Sequence, residues 1–279
     1  MEERKTFFSS LEPKSALVVG IVGGVLVLCT VGFFVMLGLS LTNRAVESKT
    51  KNNNTPLTAD DGTNNTVTPS SVVTKADRPK VELFVMSYCP YGLQMEKAYL
   101  PAWELLKNKA DIDVKFVNYA MHGKKEIDEN TRQYCIGKDF SDKIIPYLKC
   151  FVGEDNFTKC LSAVGLTDSK LATCVNGTDK QYQLTEKFND QTTWLSGRYP
   201  VYEVYNDLNK EYGVQGSPTL VINGQEVSAG RTPEAVKQAI CAAFNNPPTE
   251  CTQTLSNSAY SAGFGLTASD NAANAECGG

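Results

Sequence analysis

Positive charge is not in excess in this chain: 27 Lys and Arg face 31 Asp and Glu, a formal net charge of −4 over 279 residues. Proteins that bind nucleic acid concentrate basic residues on one face, so that class of partner is excluded. Histidine is nearly missing too. The single copy, His122, sits in Tyr-Ala-Met-His-Gly. An imidazole can hold a thiolate or accept a proton, but nothing in the sequence places this one near a reactive group, and it reads as structural. Zinc sites space their ligands about two to four residues apart. The cysteines in the middle of the chain, Cys135, Cys150, Cys160 and Cys174, are not spaced that way, and no metal or organic cofactor is implied.

Two further absences organise the N-terminal part. Ala16 to Leu41 carries no charge, between Lys14 and Arg44. About 20 such residues suffice to span a bilayer, whereas a cleaved signal peptide would have about 7–15 apolar residues and a small-x-small site. Residues 16–41 therefore read as a transmembrane signal anchor behind a short cytoplasmic N-terminus, 1–15. Leu26-Val27-Leu28-Cys29 has the outline of a lipoprotein motif, but the large Leu28 and the mid-span position argue against it. Residues 42–78 hold almost no large apolar side chains, Leu57 being the exception, and cannot bury a core; they read as a flexible linker with a reach of ~30 Å. Asn53, Asn64, Asn156 and Asn176 begin glycosylation sequons, which an Asn/Thr-rich chain produces by chance. Basic residues flank the span equally, with Arg4, Lys5 and Lys14 before it and Arg44, Lys49 and Lys51 after it, so charge does not orient it. Cysteine does. Of nine in the chain, all but Cys29 lie beyond the span, a density that suits an oxidising compartment, and the C-terminal part is expected to be extracytoplasmic.

The most informative stretch is Val81 to Met95, Val-Glu-Leu-Phe-Val-Met-Ser-Tyr-Cys-Pro-Tyr-Gly-Leu-Gln-Met. A β-rich run meets a turn and passes into a helical pattern, which puts Cys89 at a helix N-terminus. Unpaired amides and a positive dipole favour a thiolate there, and Pro90 suits a first turn. The expectation is a lowered pKa and a reactive sulfur; the alternative is the buried, inert state of most free cysteines.

Phe84 to Gly92 resembles the active-site turn of thioredoxin-fold proteins, and Tyr212 to Gly224 (Tyr-Gly-Val-Gln-Gly-Ser-Pro-Thr-Leu-Val-Ile-Asn-Gly) resembles their second hallmark, a cis-proline loop before a strand. The similarity covers about residues 79–245 and is nearest to the DsbA-like thiol–disulfide oxidoreductases. It implies a catalytic Cys89, a substrate-aligning Pro218 in a cis bond, a backbone contact from Ser217, and a surface shaped by Pro90 and Tyr91. One position departs from the pattern: the second active-site cysteine is replaced by Gly92. Cys89 can form a mixed disulfide but has no local thiol to resolve it, so the site is expected to be monothiol.

The rest of the chain fits an α/β, thioredoxin-like domain over 79–251. A helix from Gly92 to Lys109 and a strand from Ile112 to Tyr119 complete a parallel unit. A helical insertion, about 123–198, contains pieces at Lys125–Cys135, Asp142–Phe151, Phe157–Ala163 and Ser169–Val175. Its four cysteines allow three pairings; the nested one, Cys150–Cys160 inside Cys135–Cys174, staples pieces too short to stand alone. The insertion also resembles, more weakly, that of the lysosomal thiol reductases. Tyr199–Lys210 is expected to be helical, Thr219 to Ser228 a hairpin turning at Asn223-Gly224, and Thr232–Phe244 a capped helix tied by Cys241–Cys251. Residues 252–279 read as a disordered tail ending in Glu276-Cys277-Gly278-Gly279. Cys277 is left over with Cys89, as a resolving thiol, a link between molecules, or a residue without a role. Glu82 and Glu96 lie near the active turn as possible proton acceptors, though solvated positions suit them as well.

The expected function is a membrane-anchored thiol–disulfide oxidoreductase or isomerase acting on protein thiols and disulfides through Cys89, with an external thiol or redox partner. The alternative is a non-catalytic binding module whose Cys89 is vestigial or bonded to Cys277. Peroxide reduction through a sulfenic acid is a weaker possibility, since the peroxidase-type motif is absent.

Overall fold

In the computed structural model, residues 73–269 and 277–278 are described. The expected anchor at 16–41, the N-terminus before it and most of the linker lie outside them. Among the described residues no helix is long and apolar enough to cross a membrane.

Strand β1 (Lys80–Val85) is buried along all but its first residue, as a near-continuous apolar run predicts for a strand covered on both faces. It runs parallel to β2 (Asp111–Phe116), Lys80 opposite Asp111 and Val85 opposite Phe116. On its other side it is antiparallel to β3 (Thr219–Ile222), Val81 opposite Ile222. With β4 (Gln225–Glu226) the sheet order is β2-β1-β3-β4, the thioredoxin-like arrangement. Asn223 and Gly224 take φ of 51° and 77° at the β3–β4 turn, as a two-residue hairpin requires.

Between β1 and β2 runs helix α1 (Pro90–Leu106). After β2 come α2 (Lys124–Asp139), α3 (Ile144–Glu154), α4 (Phe157–Ala163), α5 (Asp168–Tyr182) and α6 (Leu184–Asn189). Helix α5 outruns the expected Ser169–Val175 because Leu171, Cys174 and Thr178 all face inward, and that packing overrides Gly177. Cys135 is joined to Cys174 and Cys150 to Cys160, with Cα separations of 5.7 and 5.5 Å. The helix expected at Tyr199–Lys210 instead begins with an extended segment, Val201 bridging to Tyr119. A 3-10 turn at Glu203–Tyr205 follows, then α7 (Asn206–Tyr212). Helix α8 (Pro233–Ala242), capped by Thr232 Oγ1 accepting from the Ala235 amide at 3.2 Å, packs beside α1. It is tied to the following turn through Cys241–Cys251.

Alternation along β1 divides the interior. Val81, Leu83 and Val85 join the large cluster with Leu93, Leu106, Val236 and Ile240. Phe84 and Met86 face a smaller one with Cys89, Val117, Val214 and Val221.

Both expected domain edges need correction. The chain is already fastened before residue 79: the Ala76 amide donates to the Ala243 carbonyl at 2.9 Å, and Asn223 Nδ2 to the Thr74 carbonyl at 2.6 Å. Residues 253–269, expected to be disordered, form a short β5 (Ala259–Tyr260) and β6 (Ala268–Ser269) pair lying on α1. The buried Lys97 holds this segment, its Nζ donating to the carbonyls of Ser261, Gly263 and Gly265 at 2.7, 2.7 and 2.8 Å. Phe264 packs edge-on against Phe151 and Tyr88. A polar, glycine-rich stretch is thus ordered by its carbonyls' hydrogen bonds to Lys97 and Gln94, by the Gly263 and Gly265 amides donating to the Pro90 and Val152 carbonyls at 2.8 and 3.0 Å, and by one ring.

Candidate active site

β1 delivers the chain into a tight turn in which the Cys89 amide donates to the Met86 carbonyl at 2.9 Å. Cys89 is the N-cap of α1, its Sγ accepting from the Gly92 amide at 3.3 Å. A sulfur takes the role that a serine or aspartate oxygen usually fills, and the same amide and the helix dipole would stabilise its thiolate. Pro90 follows on the exposed side. Tyr91 is half-buried, with the Arg231 guanidinium 5.5 Å from its ring centre.

Cys89 is fully buried and is joined to Cys277, with Cα atoms 6.0 Å apart. In this structure Cys277 is thus neither unpaired nor a link between molecules; the bond is common to the resolving-thiol and the closed-module readings. The backbone pairs as well: the Ser217 amide donates to the Cys277 carbonyl at 2.9 Å, and the Cys277 amide to the Ser217 carbonyl at 2.7 Å. Ser217 and Cys277 are an antiparallel pair, and the Ser217–Pro218 bond beside them is cis. The Ser217 carbonyl also lies 3.4 Å from Cys89 Sγ, a contact that only a free thiol could make into a hydrogen bond.

Gly92 is held to glycine by its surroundings. A Cβ there would lie 2.6 Å from Ser217 Oγ, 3.2 Å from the Met86 carbonyl and 3.3 Å from Cys89 Cβ. Ser217 Oγ cannot readily yield, because it accepts from the Met86 amide at 2.9 Å in a buried position. The place of a second cysteine is occupied by this hydroxyl.

Behind the turn lies buried polar structure of which the sequence reading named His122 and Glu96 but missed Glu126 and Asn130. Glu126 accepts from the Met121 amide at 2.8 Å, from the Tyr88 amide at 3.3 Å and contacts His122 Nδ1 at 2.5 Å. His122 therefore stands one carboxylate away from the residue before Cys89, in a supporting position. Asn130 Oδ1 accepts from the Ser87 amide at 3.2 Å. Glu96 is fully buried and neither carboxyl oxygen has a protein hydrogen-bond partner. Burial first, then the charge of Glu129, push its pKa up to about 8 against the opposing Lys97, so it carries a proton at neutral pH. Glu82 is different: it pairs with Lys80 at 3.0 Å, toward the far end of β1 from the turn. Lys97 is drawn down to about 8 by burial, yet its three carbonyl acceptors are a set that the ammonium form satisfies fully.

No protein-family model matches the chain, and no curated protein matches it. Among solved structures, the reduced disulfide bond oxidoreductase DsbG of Mycobacterium tuberculosis is 14% identical, with a TM-score of 0.44 over 65% of this chain and 88% of its own. Oxidised DsbA from the same organism is 14% identical, with a TM-score of 0.44 over 64% and 94%. BdbD of Bacillus subtilis is 20% identical, with a TM-score of 0.39 over 61% and 90%. Likeness at this level carries no argument about chemistry.

Proposed function

We propose that this chain is a thiol–disulfide oxidoreductase acting on protein thiols and disulfides through Cys89, held outside the cytoplasm by a span at 16–41. The observation that carries the reading is the state of Cys89: a sulfur at a helix N-terminus, bonded to a cysteine whose backbone lies extended against Ser217. In the reduced protein the Cys89 thiolate attacks a substrate disulfide. A new S–S bond forms as the old one breaks, and one substrate sulfur leaves as thiolate. Gly92 offers no resolving thiol, so release falls to Cys277 or to an external thiol. When the Cys277 thiolate attacks Cys89 Sγ, the substrate's second sulfur leaves with the electron pair and Cys89–Cys277 reforms, two electrons having passed to the substrate. Run backwards, the same steps oxidise a dithiol. The anchor and the compartment rest on the uncharged run at 16–41 and on four disulfides, which cytosolic conditions disfavour.

The burial of Cys89 within its bond favours a second reading, a permanently closed site in a binding module. A redox titration of the full chain separates the two, with free thiols alkylated and the protein mapped without reduction at each step. Opening of Cys89–Cys277 in mild thiol buffer, while the other three bridges stay closed, is the expected result, with insulin reduction following. Opening only under strong reductant, together with the other bridges, would put the binding module first.

A further inference from the structure

The segment bonded to Cys89 also carries a specificity. Cys277 and Gly278 lie along the loop at Gln215 to Pro218, and the two backbones meet glycine to glycine. A Cβ on Gly216 would stand 2.8 Å from the Cys277 carbonyl oxygen and 3.1 Å from that of Gly278. A Cβ on Gly278 would stand 1.8 Å from Tyr119 Oη and 3.0 Å from its Cζ. Gly278 moreover has φ of +86°, a region that side-chain-bearing residues seldom enter. Tyr119 is poorly able to move aside. Its hydroxyl donates to the Gln215 carbonyl at 2.8 Å, its ring is buried and tilted against Tyr199 at 5.7 Å, and its backbone bridges to Val201. Beyond Gly278 the surface opens into a cleft of about 330 Å³ bordered by Tyr119, Leu195, Tyr199, Val214 and Gln215.

Resting on the oxidoreductase reading, we infer that this groove is a subsite for a Cys-Gly step: the substrate cysteine pairs with Ser217, and the residue after it must be glycine because Tyr119 closes the space a side chain would take. The chain's own Glu276-Cys277-Gly278 is one such sequence. Once external thiol has reduced Cys89–Cys277, itself being oxidised to a disulfide, an incoming Cys-Gly segment takes that sequence's place. The Cys89 thiolate attacks the segment's disulfide sulfur, the new bond forms to that sulfur, and the partner sulfur leaves as thiolate with the electron pair.

The test uses the full chain with Cys277→Ser, which leaves Cys89 without its internal partner. Three symmetrical disulfides are offered, so that attack on either sulfur gives the same product: acetyl-Glu-Cys-Gly-Gly-amide, acetyl-Glu-Cys-Ala-Gly-amide, and glutathione disulfide. The rate of mixed-disulfide formation on Cys89 is read by intact mass. The glycine peptide should load roughly tenfold to a hundredfold faster than the alanine peptide, the range expected when one methyl is forced into closed space. Adding Tyr119→Phe, which removes the nearest obstructing atom, should shrink that ratio several-fold. Equal rates for glycine and alanine would overturn the subsite while leaving the oxidoreductase reading in place, and so would a ratio that Tyr119→Phe does not change. If no disulfide loads Cys89 in a chain that keeps its other bridges, the oxidoreductase reading itself falls. Glutathione disulfide matching the glycine peptide would make the source a small Cys-Gly thiol; loading by the peptide alone would make it a protein segment.

Discussion

Glu96 is the residue at which burial and protonation meet. Its folded pKa is raised to about 8, while an unfolded chain releases the same proton near the ordinary 4.5. The folded state thus holds the proton more tightly across that interval. The stability it confers is complete below about pH 4.5 and drains away as pH rises toward 8. Replacing it by the neutral Glu96→Gln should flatten the fall in Tm between pH 5 and 8 and make the variant more stable at pH 8, by on the order of 1–3 kcal/mol. A variant whose Tm falls in parallel with the parent would remove Glu96 from the account. In the sequence, Glu96 was visible only as a carboxylate near the turn, because a charge pattern along one helix does not show which flank its neighbours will cover. Tyr119 and Glu126 escaped for the same reason: each acts through partners that the fold brings from elsewhere.

Where β1, α1 and the loop at Gly216 to Pro218 converge, three elements share one small volume. Ser217 Oγ fills the space beside Gly92 and satisfies the Met86 amide, so the two positions are coupled. Gly92→Cys alone should cost about 1–3 kcal/mol through overpacking. Ser217→Gly alone should cost a similar amount by leaving a buried amide unpaired. Together they should cost less than the sum, read as denaturant midpoints in a double-mutant cycle; strictly additive values would show that the contact is not felt. The strand–turn–helix junction itself was legible because every local signal agreed: apolar run, cysteine, proline, then helical spacing. So was the hairpin at Asn223-Gly224. The limits of the insertion helices were less so, since Gly177 and the short polar linkers read as breaks until packing is known. The segment at 253–269 was least legible, because the lysine that helps to order it belongs to a helix more than 150 residues earlier.

For the molecule as a whole, the bond between Cys89 and Cys277 spans a sequence separation of 188. Loop-closure entropy alone assigns such a link about 5 kcal/mol of stabilisation. Cys277→Ser should lose less than that, because the freed Cys89 sulfur carries a negative charge that the Gly92 amide and the helix terminus, already against it, hold more strongly than a neutral disulfide sulfur. A urea titration of the two proteins at pH 7 measures the difference, and a full loss would mean that the free thiolate is not favoured at its site. Cysteine counting left these two residues over, and a tail long enough to reach did not say whether Cys277 would bond to Cys89, to another molecule or to nothing. Their union has a mechanical corollary. Tension applied between residues 73 and 278 would pass through β1 to Cys89 and straight across to Cys277, leaving most of the domain out of the load path. Cutting that one bond would bring the bypassed chain under load and release on the order of 450 Å of contour, after the spans closed by the inner bridges (separations of 39 and 10) are set aside. In this chain a two-electron event is also a switch of extensibility.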